Sequence, residues 1–407
     1  MDEKKLTKTH QQIGQEQDLF LISQLIGSGL PLFTPKGTIL RKAVEDFLTG
    51  KKKEKGYEFV WTPHIAKSET YHKSQHWGKY DAMFPQILVE DEQYSLKPMN
   101  CPHHFEIYLS RPRSYREFPI RLAENGTVYR HEKSGEINGL FRVRSLTIDD
   151  THTFIRINQT EEELENVLTL IKEVLQTFGF SQYRARISTS DPKEPGKYLG
   201  ERAAWEKAES ALKKSAEKLF KEVSVGIGEA AFYGPKIDIM VKDNLDREWQ
   251  LSTVQLDYNQ PENFDINYID EKGENVRPAI LHIATVGSIE RFIGILIEHY
   301  QGAFPIWLSP VQIMIIPIAD RHQEAAIKVT NTFKKAGIQA DIDTRSESMQ
   351  NKIRQATLQK IPYCGIIGDR EMANNTISLR SRDGKDQIEL SQEDFTQRVK
   401  KEIDTKV

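Results

Sequence analysis

Three side chains that bind transition metals lie far apart in the sequence, each inside a distinctive motif. They are Cys101 in KPMNCPHH, His152 in TIDDTHTF and His282 in ILHIATVGSIER. One thiolate and two imidazoles suit zinc, and three protein ligands leave a fourth position open for water or substrate, as in catalytic zinc sites. No CxxC or HxxxH pair makes the set local, so the fold must bring the three residues together.

Four further histidines offer alternatives for a metal site. His72 and His76 lie four residues apart and could form a metal-binding pair on a helix. His103 and His104 follow Cys101 closely and could replace one of the other ligands. For His76 the other reading is a structural histidine beside Trp77. Residue types alone leave these alternatives open.

Two segments carry residues that suit a nucleotide triphosphate. Residues 127–154 predict two antiparallel strands around a polar loop that contains Gly135 and Gly139. Strand alternation then groups side chains on one face of the second strand and pairs Arg130 with Glu132 on the first. The face on the second strand consists of Arg142, Arg144, Leu146, Ile148, Asp150 and His152. Arginine forks bind phosphate oxygens, but a surface hairpin with ion pairs is the alternative.

The second segment, TVGSIERFIG at residues 285–294, predicts a helix N-terminus after a glycine and a serine. Helix N-termini attract anions, and Arg291 in the first turn could clamp a nucleotide. A buried turn with a surface arginine is the alternative.

The elements that must position these residues predict an α+β fold. We expect helices at residues 9–27, from Thr34-Pro35 to just before KKKEKGY, at 159–178 and after Ser288. Strands are expected at 236–257 and 278–286, a solvated turn at the lysine run 51–55, and a core position for Cys364. After GAFPIWLSP, strand–helix alternation predicts a small α/β domain with a mostly parallel sheet. The predicted domains are residues 1–30, 31–305 and 309–407.

Composition excludes several classes of protein. The chain is 38% hydrophobic with no long apolar run, so no membrane span is expected. Two cysteines predict no disulfide framework and favour a cytoplasmic location. The net charge of −3 means that any RNA contact must come from local patches.

Taken together, the motifs resemble those of the class II aminoacyl-tRNA synthetases. GLPLFTPKG is similar to motif 1, YRHEKSG…GLFRVR to motif 2 and GSIERF to motif 3. The closer resemblance is to the threonyl branch, through KPMNCPHH, DDTHTF, AFYGPKIDI and WQLSTVQLDY, and it covers about residues 10–405. Residues from WLSPVQIMIIPIAD onward resemble its anticodon-binding domain.

The resemblance implies an antiparallel-sheet catalytic domain followed by a smaller α/β anticodon-binding domain. It implies ligation of L-threonine to tRNA(Thr) through an adenylate, with ATP and Mg²⁺, one Zn²⁺ that selects threonine, and a homodimer formed through motif 1. Alternatives are a seryl- or prolyl-type relative, or a catalytically weak paralogue that binds RNA as a regulator.

The resemblance also implies residue roles. The zinc ligands would be Cys101, His152 and His282; the nucleotide residues Arg130, Glu132, Arg142, Gln250 and Arg291; the threonine residues Asp150, Tyr233, Lys236 and Gln255. His76 would act at the tRNA 3′ end, Glu371 and Arg380 would read the anticodon, and Arg345 and Lys352 would contact phosphates.

Several positions depart from the family pattern. Leu146 replaces a phenylalanine that stacks on adenine, Ile148 a glutamine, Ile283 an arginine and Ser346 an asparagine. The chain begins at the linker helix, without the domain that hydrolyses mischarged serine, as a naturally short form or a cut chain would. We therefore expect it to mischarge serine unless another protein edits the product.

Overall fold

The computed structural model describes residues 7–385 and 387–406, which form two compact units. The larger unit comprises residues 24–30 and 45–292. The smaller unit comprises the described residues up to 23, residues 31–44 and those from 293 onward. Within the described residues, no helix is both long and apolar enough to cross a membrane.

The described residues form α-helices and β-strands with the following bounds. The helices are α1 (His10–Glu16), α2 (Pro35–Glu54), α3 (Glu69–Lys73), α4 (Cys101–Leu109), α5 (Thr160–Thr177), α6 (Arg202–Leu219), α7 (Gln260–Asn263), α8 (Ile289–His299), α9 (Gln323–Lys335), α10 (Met349–Leu358), α11 (Asp369–Asn374) and α12 (Gln392–Thr405). The strands are β1 (Phe20–Leu21), β2 (Leu32–Phe33), β3 (Glu58–Phe59), β4 (Ile65–Lys67), β5 (Ile87–Val89), β6 (Glu92–Leu96), β7 (Ile120–Tyr129), β8 (Ser145–Ile155), β9 (Tyr183–Thr189), β10 (Val223–Ile227), β11 (Lys236–Lys242), β12 (Glu248–Asp257), β13 (Tyr268–Ile269), β14 (Asn275–Val276), β15 (Ala279–Ser288), β16 (Ile313–Pro317), β17 (Ala340–Ile342), β18 (Tyr363–Ile367), β19 (Thr376–Ser381) and β20 (Gln387–Ser391).

A large, mainly antiparallel sheet forms the larger unit. Its described strands lie in the order β10-β9-β11-β12-β15-β8-β7-β3, and the five central pairings from β9 to β7 are all antiparallel. His282 pairs with Gln255 on one side and with His152 on the other. Register alone therefore makes side chains from three strands neighbours. The predicted α+β fold is confirmed.

Helix α5 follows the predicted pattern closely. Its apolar side chains repeat at helical spacing and are fully buried or nearly so: Leu164, Val167, Leu168, Ile171 and Leu175. Gly179 follows the helix with a φ of 82°, which a glycine adopts without a Cβ clash. The predicted helix at 159–178 is confirmed.

The first hairpin differs from the prediction at its turn. Strands β7 and β8 are antiparallel as expected, but β7 ends at Tyr129 and β8 begins at Ser145. Arg130 and Glu132, and likewise Arg142 and Arg144, therefore lie in the connecting loop rather than on strand faces. The loop pairs with itself through the Arg130 N–H, which donates to the Arg144 carbonyl at 2.8 Å. Strand alternation was the wrong argument for these four residues.

Two N-terminal predictions were also wrong in extent. The helix expected at 9–27 ends at Glu16, because Asp18 takes a φ of 54° and the chain then enters β1. Helix α2 does begin at Pro35, with the Thr34 hydroxyl accepting from the Gly37 N–H at 3.1 Å. It then continues through the lysine run to Glu54.

Lys52 contradicts the expected solvated turn. Its side chain is 2% exposed, and Nζ donates to the Asp149 carbonyl at 3.0 Å and lies 3.7 Å from the Asp149 carboxylate. A buried acid thus takes its partner from inside the basic run, while Lys53 next to it remains exposed. Helix α6 and the small sheet of β4, β6 and β5 were not predicted.

The smaller unit contains a mixed sheet in the order β17-β16-β18-β19-β20. β16 is parallel to both of its neighbours, which fits the predicted strand–helix alternation. β19 and β20 are antiparallel because they follow their partners without the long crossover that parallel pairing needs. Cys364 on β18 is buried as expected, and burial raises the pKa of its thiol to about 11. The domain boundaries near residues 30 and 305–309 stay predictions.

Candidate active site

The structure brings Cys101, His152 and His282 together in the larger unit. Cys101 begins α4, His152 lies on β8 and His282 on the adjacent β15. One ligand atom from each lies within 4.8 Å of the other two, the one such group of three among the described residues. Both histidines are buried and Cys101 is half-buried.

The two histidine rings approach each other through one nitrogen of each ring. His152 Nε2 lies 3.0 Å from His282 Nδ1. The other nitrogen of His282, Nε2, donates to Asp257 Oδ2 at 2.9 Å. This leaves a lone pair on Nδ1. Asp257 itself accepts the backbone N–H groups of Asn259 and Gln260.

The donor set fits a zinc ion. Burial, followed by His282 and His104, lowers the pKa of His152 far below its ordinary value, so the ring is neutral, which is the form that binds a metal. Burial and then Asp150 raise the pKa of the Cys101 thiol, so its thiolate needs a nearby cation. A cation that binds nitrogen and sulfur satisfies all three groups at once.

A cavity of about 370 Å³ opens beside this group. It collects seven predicted site residues from distant parts of the chain: His76, Cys101, Arg130, Asp150, Tyr233, Gln255 and His282. Asp150 accepts from Asn100 Nδ2 at 3.0 Å, and Gln255 Nε2 donates to the Gly234 carbonyl at 2.9 Å. These bonds fix both polar groups in orientation.

A second cavity, of about 650 Å³, is lined by all five residues predicted to hold a nucleotide: Arg130, Glu132, Arg142, Gln250 and Arg291. Arg130, Ile148, Thr253 and Ala284 line both cavities, so the two are contiguous. Leu146, one of the departures from the family pattern, also lines this cavity.

The cations of the second cavity differ in their partners. Arg142 pairs with Glu132 at 2.8 Å and with Glu136 at 3.3 Å. Arg130 has a buried Nε without a hydrogen-bond partner. Arg291 is half-buried with its guanidinium 5.9 Å from the centre of the Trp249 ring, and burial lowers its pKa. Arg130 and Arg291 are therefore the cations best prepared for an anionic ligand.

Asp238 organises one wall and was not predicted. Its carboxylate accepts from Lys236 Nζ at 2.6 Å, Gln250 Nε2 at 2.7 Å and the Thr253 hydroxyl at 2.8 Å. Lys236 thus stands beside the first cavity but is absent from its lining. The alternation in KIDIM on β11 puts Asp238 and Lys236 on one face, which was the available signal.

The turn into α8 is held by two acids. Asp149 accepts from the Thr285 N–H at 2.7 Å and the Val286 N–H at 3.3 Å, where β15 leaves register with β8. Glu290 accepts from the Thr147 N–H at 2.8 Å. Gly287 takes a φ of 74° at the same place. Together these contacts direct Arg291 into the nucleotide-sized cavity.

His76 is buried at the edge of the first cavity. Its ring contacts those of Phe232 and Tyr233, with centroids 5.5 and 5.7 Å away, and Nδ1 lies 2.9 Å from the Ser74 hydroxyl. Burial, followed by His282, lowers its pKa to about 4. The aromatic partner of Trp77 is His72 rather than His76.

The other metal alternatives take different positions. Helix α3 ends at Lys73, so the exposed His72 and the buried His76 do not share a helix face as expected. His104 contacts the far side of His152, Nδ1 to Nδ1, at 2.9 Å. Both ring nitrogens of His103 are buried without a partner, and burial lowers its pKa to about 4.

In the smaller unit, the predicted anticodon residues differ in exposure. Glu371 is buried and accepts from the Gly368 N–H and the Ser378 hydroxyl, whereas Arg380 is exposed on β19. Arg345 pairs with Asp343 at 2.6 Å. Lys352 is 5% exposed with Nζ directed at the Pro317 carbonyl, so it is poorly placed for a phosphate.

Two family models match the chain. The model described as tRNA synthetase class II core domain (G, H, P, S and T) matches residues 87–300, and the model described as anticodon binding domain matches residues 312–402. The fold, the two cavities and these matches define one class: the chain belongs to the class II aminoacyl-tRNA synthetases.

Similar relatives indicate one family within this class. The chain is 51% identical over 92% of its length to threonine--tRNA ligase of Deinococcus deserti, and 46% identical over 98% to that of Prosthecochloris aestuarii. A structure of the RNA binding domain of threonyl-tRNA synthetase from Cryptosporidium parvum Iowa II superposes with a TM-score of 0.93 at 32% identity, covering 97% of this chain and 98% of that one. Within the class, the chain belongs to the threonyl-tRNA synthetase family. It spans 58% and 62% of the length of the two ligases.

Proposed function

We propose that the chain ligates L-threonine to tRNA(Thr) in two steps, through a threonyl adenylate. The observation that carries this proposal is the juxtaposition of the two cavities. One is bordered by a Cys/His/His group and suits a small polar amino acid, and the other is lined by arginines and suits ATP. Arg130 borders both, at the place where carboxylate and α-phosphate would meet.

In the first step, a threonine carboxylate oxygen attacks the ATP α-phosphorus and pyrophosphate leaves. Arg130 stabilises the negative charge that develops on the α-phosphate, through a guanidinium that carries an unpartnered buried N–H. Arg142 and Arg291 hold the remaining phosphates and the adenine end, with Glu132 and Gln250 beside them. Mg²⁺ accompanies the triphosphate.

Threonine is recognised by its hydroxyl. Cys101, His152 and His282 would hold one zinc ion, which would supply a Lewis acid for the polar groups of threonine. Asp150 is held by Asn100 and accepts a hydrogen bond from the threonine hydroxyl. Tyr233 and Gln255 enclose the remainder, with Lys236 next to them. Valine lacks the hydroxyl, and a site that demands a hydroxyl rejects its analogue by roughly 10⁴-fold or more.

In the second step, the terminal ribose hydroxyl of tRNA attacks the adenylate carbonyl and AMP leaves. His76 borders the first cavity and has a pKa of about 4, so it is neutral and able to accept a proton at physiological pH. We propose that it assists deprotonation of this hydroxyl. Homodimer formation through motif 1 rests on the resemblance and a cytoplasmic location on the low cysteine content, and both stay predictions.

Amino-acid-dependent ATP–pyrophosphate exchange tests the proposal. We expect exchange with threonine, a lower rate with serine and almost none with valine, and one zinc per chain. Exchange that does not distinguish valine from threonine would contradict recognition through the hydroxyl. No exchange with any of the three, in protein that contains zinc, would favour an RNA-binding regulator and direct attention to Leu146 and Ile148, which line the nucleotide cavity.

A further inference from the structure

We propose that Glu124 and His104 form a relay that positions His152 for metal binding, a role that rests on the metal site proposed above. His104 lies three residues after Cys101 on α4, so both side chains point the same way from the helix. It is fully buried, with one ring nitrogen 2.9 Å from His152 Nδ1 and the other 3.3 Å from Glu124 Oε2.

The direction of each hydrogen bond follows from Glu124. Its carboxylate is held on β7 by the Thr62 N–H at 2.7 Å and by the Thr62 hydroxyl at 2.9 Å. A carboxylate only accepts, so His104 Nε2 carries the proton and donates to it. Only one proton fits between the Nδ1 atoms of His104 and His152, which lie 2.9 Å apart. With His104 Nε2 donating to Glu124, the structure assigns that proton to His152 Nδ1 and the lone pair to His104 Nδ1.

This order fixes the tautomer of His152. With its proton on Nδ1, the lone pair of His152 lies on Nε2, directed at His282 Nδ1 only 3.0 Å away. His282 presents a lone pair from its own side because Asp257 accepts from its Nε2. Two converging lone pairs at this distance repel unless a cation lies between them. The relay therefore prepares the pair for a metal ion.

The two ligands are oriented in different ways. His282 uses a carboxylate directly, whereas His152 uses one through an intervening imidazole. Asp150 cannot replace the relay, because its nearest oxygen lies 3.9 Å from His152 Nδ1, beyond hydrogen-bonding distance. Asp150 is thereby left free for substrate. Without His104, the proton of His152 can move to Nε2 and block the metal position.

Zinc affinity measures the relay independently of aminoacylation. We would determine it for the full chain by competition with a chromophoric chelator, for wild type, His104→Ala, His104→Gln and Glu124→Gln. We expect His104→Ala and His104→Gln to bind zinc roughly 10- to 100-fold more weakly, and Glu124→Gln to show a smaller loss. Cobalt substitution adds a spectroscopic readout: we expect the d–d bands to change in the His104 variants while the thiolate-to-cobalt band remains.

His103→Ala is the matched control, because His103 is the adjacent residue of the same type and its ring nitrogens have no hydrogen-bond partner. We expect it to bind zinc within about twofold of wild type, a change far below the loss expected for the ligand relay. An equal loss in His103→Ala, or wild-type affinity in folded His104 variants, overturns the relay. If His104→Ala does not fold, wild-type affinity in both His104→Gln and Glu124→Gln overturns it instead. Absence of zinc from the wild type would refute the metal site itself.

Discussion

In the proposed mechanism, the first chemical step depends most on Arg130. It borders both cavities, and its guanidinium has an unpartnered N–H, whereas Arg142 is already paired with two glutamates. Arg130→Gln keeps a polar side chain and removes the charge. We expect threonine-dependent pyrophosphate exchange to fall by roughly 10²- to 10³-fold, the usual cost of losing one preorganised donor to a developing charge.

A control for this variant is Arg184→Gln. Arg184 pairs with Glu248 and lines neither cavity, so exchange should stay within about twofold of wild type. Loss of exchange in both variants would indicate a general effect on the sheet rather than a role at the α-phosphate.

His76 should affect only the transfer step. Replacing it with alanine removes the proposed proton acceptor, so single-turnover transfer to tRNA should slow by roughly 10²-fold while adenylate formation is unchanged. Its folded pKa of about 4 lies below the ordinary value of 6.5, so the ring stays neutral from pH 6 to 8 and charges only as pH falls toward 4.

The pH profile of transfer therefore separates His76 from other groups. Between pH 6 and 8, we expect the rate of transfer by the wild type to show no inflection that is caused by His76. The His76→Ala variant should therefore lose no inflection in this range. An apparent pKa near 6.5 that vanishes with the ring would show that His76 titrates like an exposed histidine, against its burial. An equal loss in both chemical steps would instead assign it a structural role.

At the level of single residues, the sequence identified side chains at the two cavities and missed the acids that hold them in place. Cys101, His152 and His282 stand in motifs whose residue types suit zinc, so they could be selected before the fold was known. Asp257 could not, because its importance comes from strand register. Asp238 was missed although the alternation in KIDIM puts it on one face with Lys236. Asp257 matters because β12 pairs with β15, which brings its carboxylate within 2.9 Å of His282.

At the level of elements, the connection between α2 and the turn into α8 is testable. Lys52 supplies a buried cation to Asp149, which in turn binds two backbone N–H groups of that turn. Lys52→Met leaves the Asp149 carboxyl group buried without this partner. We expect the free energy of unfolding to fall by about 3 kcal/mol, since breaking a buried pair costs several kcal/mol.

Chemical denaturation measures this loss, and Lys53→Met is the control because Lys53 is exposed on the next position of the same helix. The control should change stability by less than about 0.5 kcal/mol, as surface substitutions usually do. Equal stability of the Lys52 variant and wild type would show that the buried pair does not stabilise the helix contact.

The elements that were predicted well have a strong periodic pattern and a clear end signal. Helix α5 has both, with a buried stripe and Gly179 after its last turn. The prediction for the lysine run was wrong because its composition indicates exposure to solvent. The position of Lys52 on the buried side of α2 depends on an acid far away in sequence. The antiparallel strands β19 and β20 were not predicted because the alternation of strands and helices stops before them.

At the level of the whole molecule, the residues proposed for adenylate formation lie in the larger unit, and Arg380 lies in the smaller one. Mutations should therefore be able to impair adenylate formation and tRNA recognition separately. Arg380 is exposed, and its guanidinium makes a long hydrogen bond of 3.4 Å to Gln387, so it is available to an RNA base or phosphate.

Arg380→Ala should lower kcat/KM for tRNA by roughly tenfold, the effect of losing about 1.4 kcal/mol of contact energy, and leave threonine-dependent exchange unchanged. Lys328→Ala is a control on the same unit, because Lys328 is an exposed cation that pairs with Glu324 at 2.9 Å within helix α9. A loss of exchange in Arg380→Ala would mean that the smaller unit supports the first chemical step as well. An unchanged kcat/KM for tRNA would remove Arg380 from the proposed anticodon contacts and leave Glu371 as their remaining candidate.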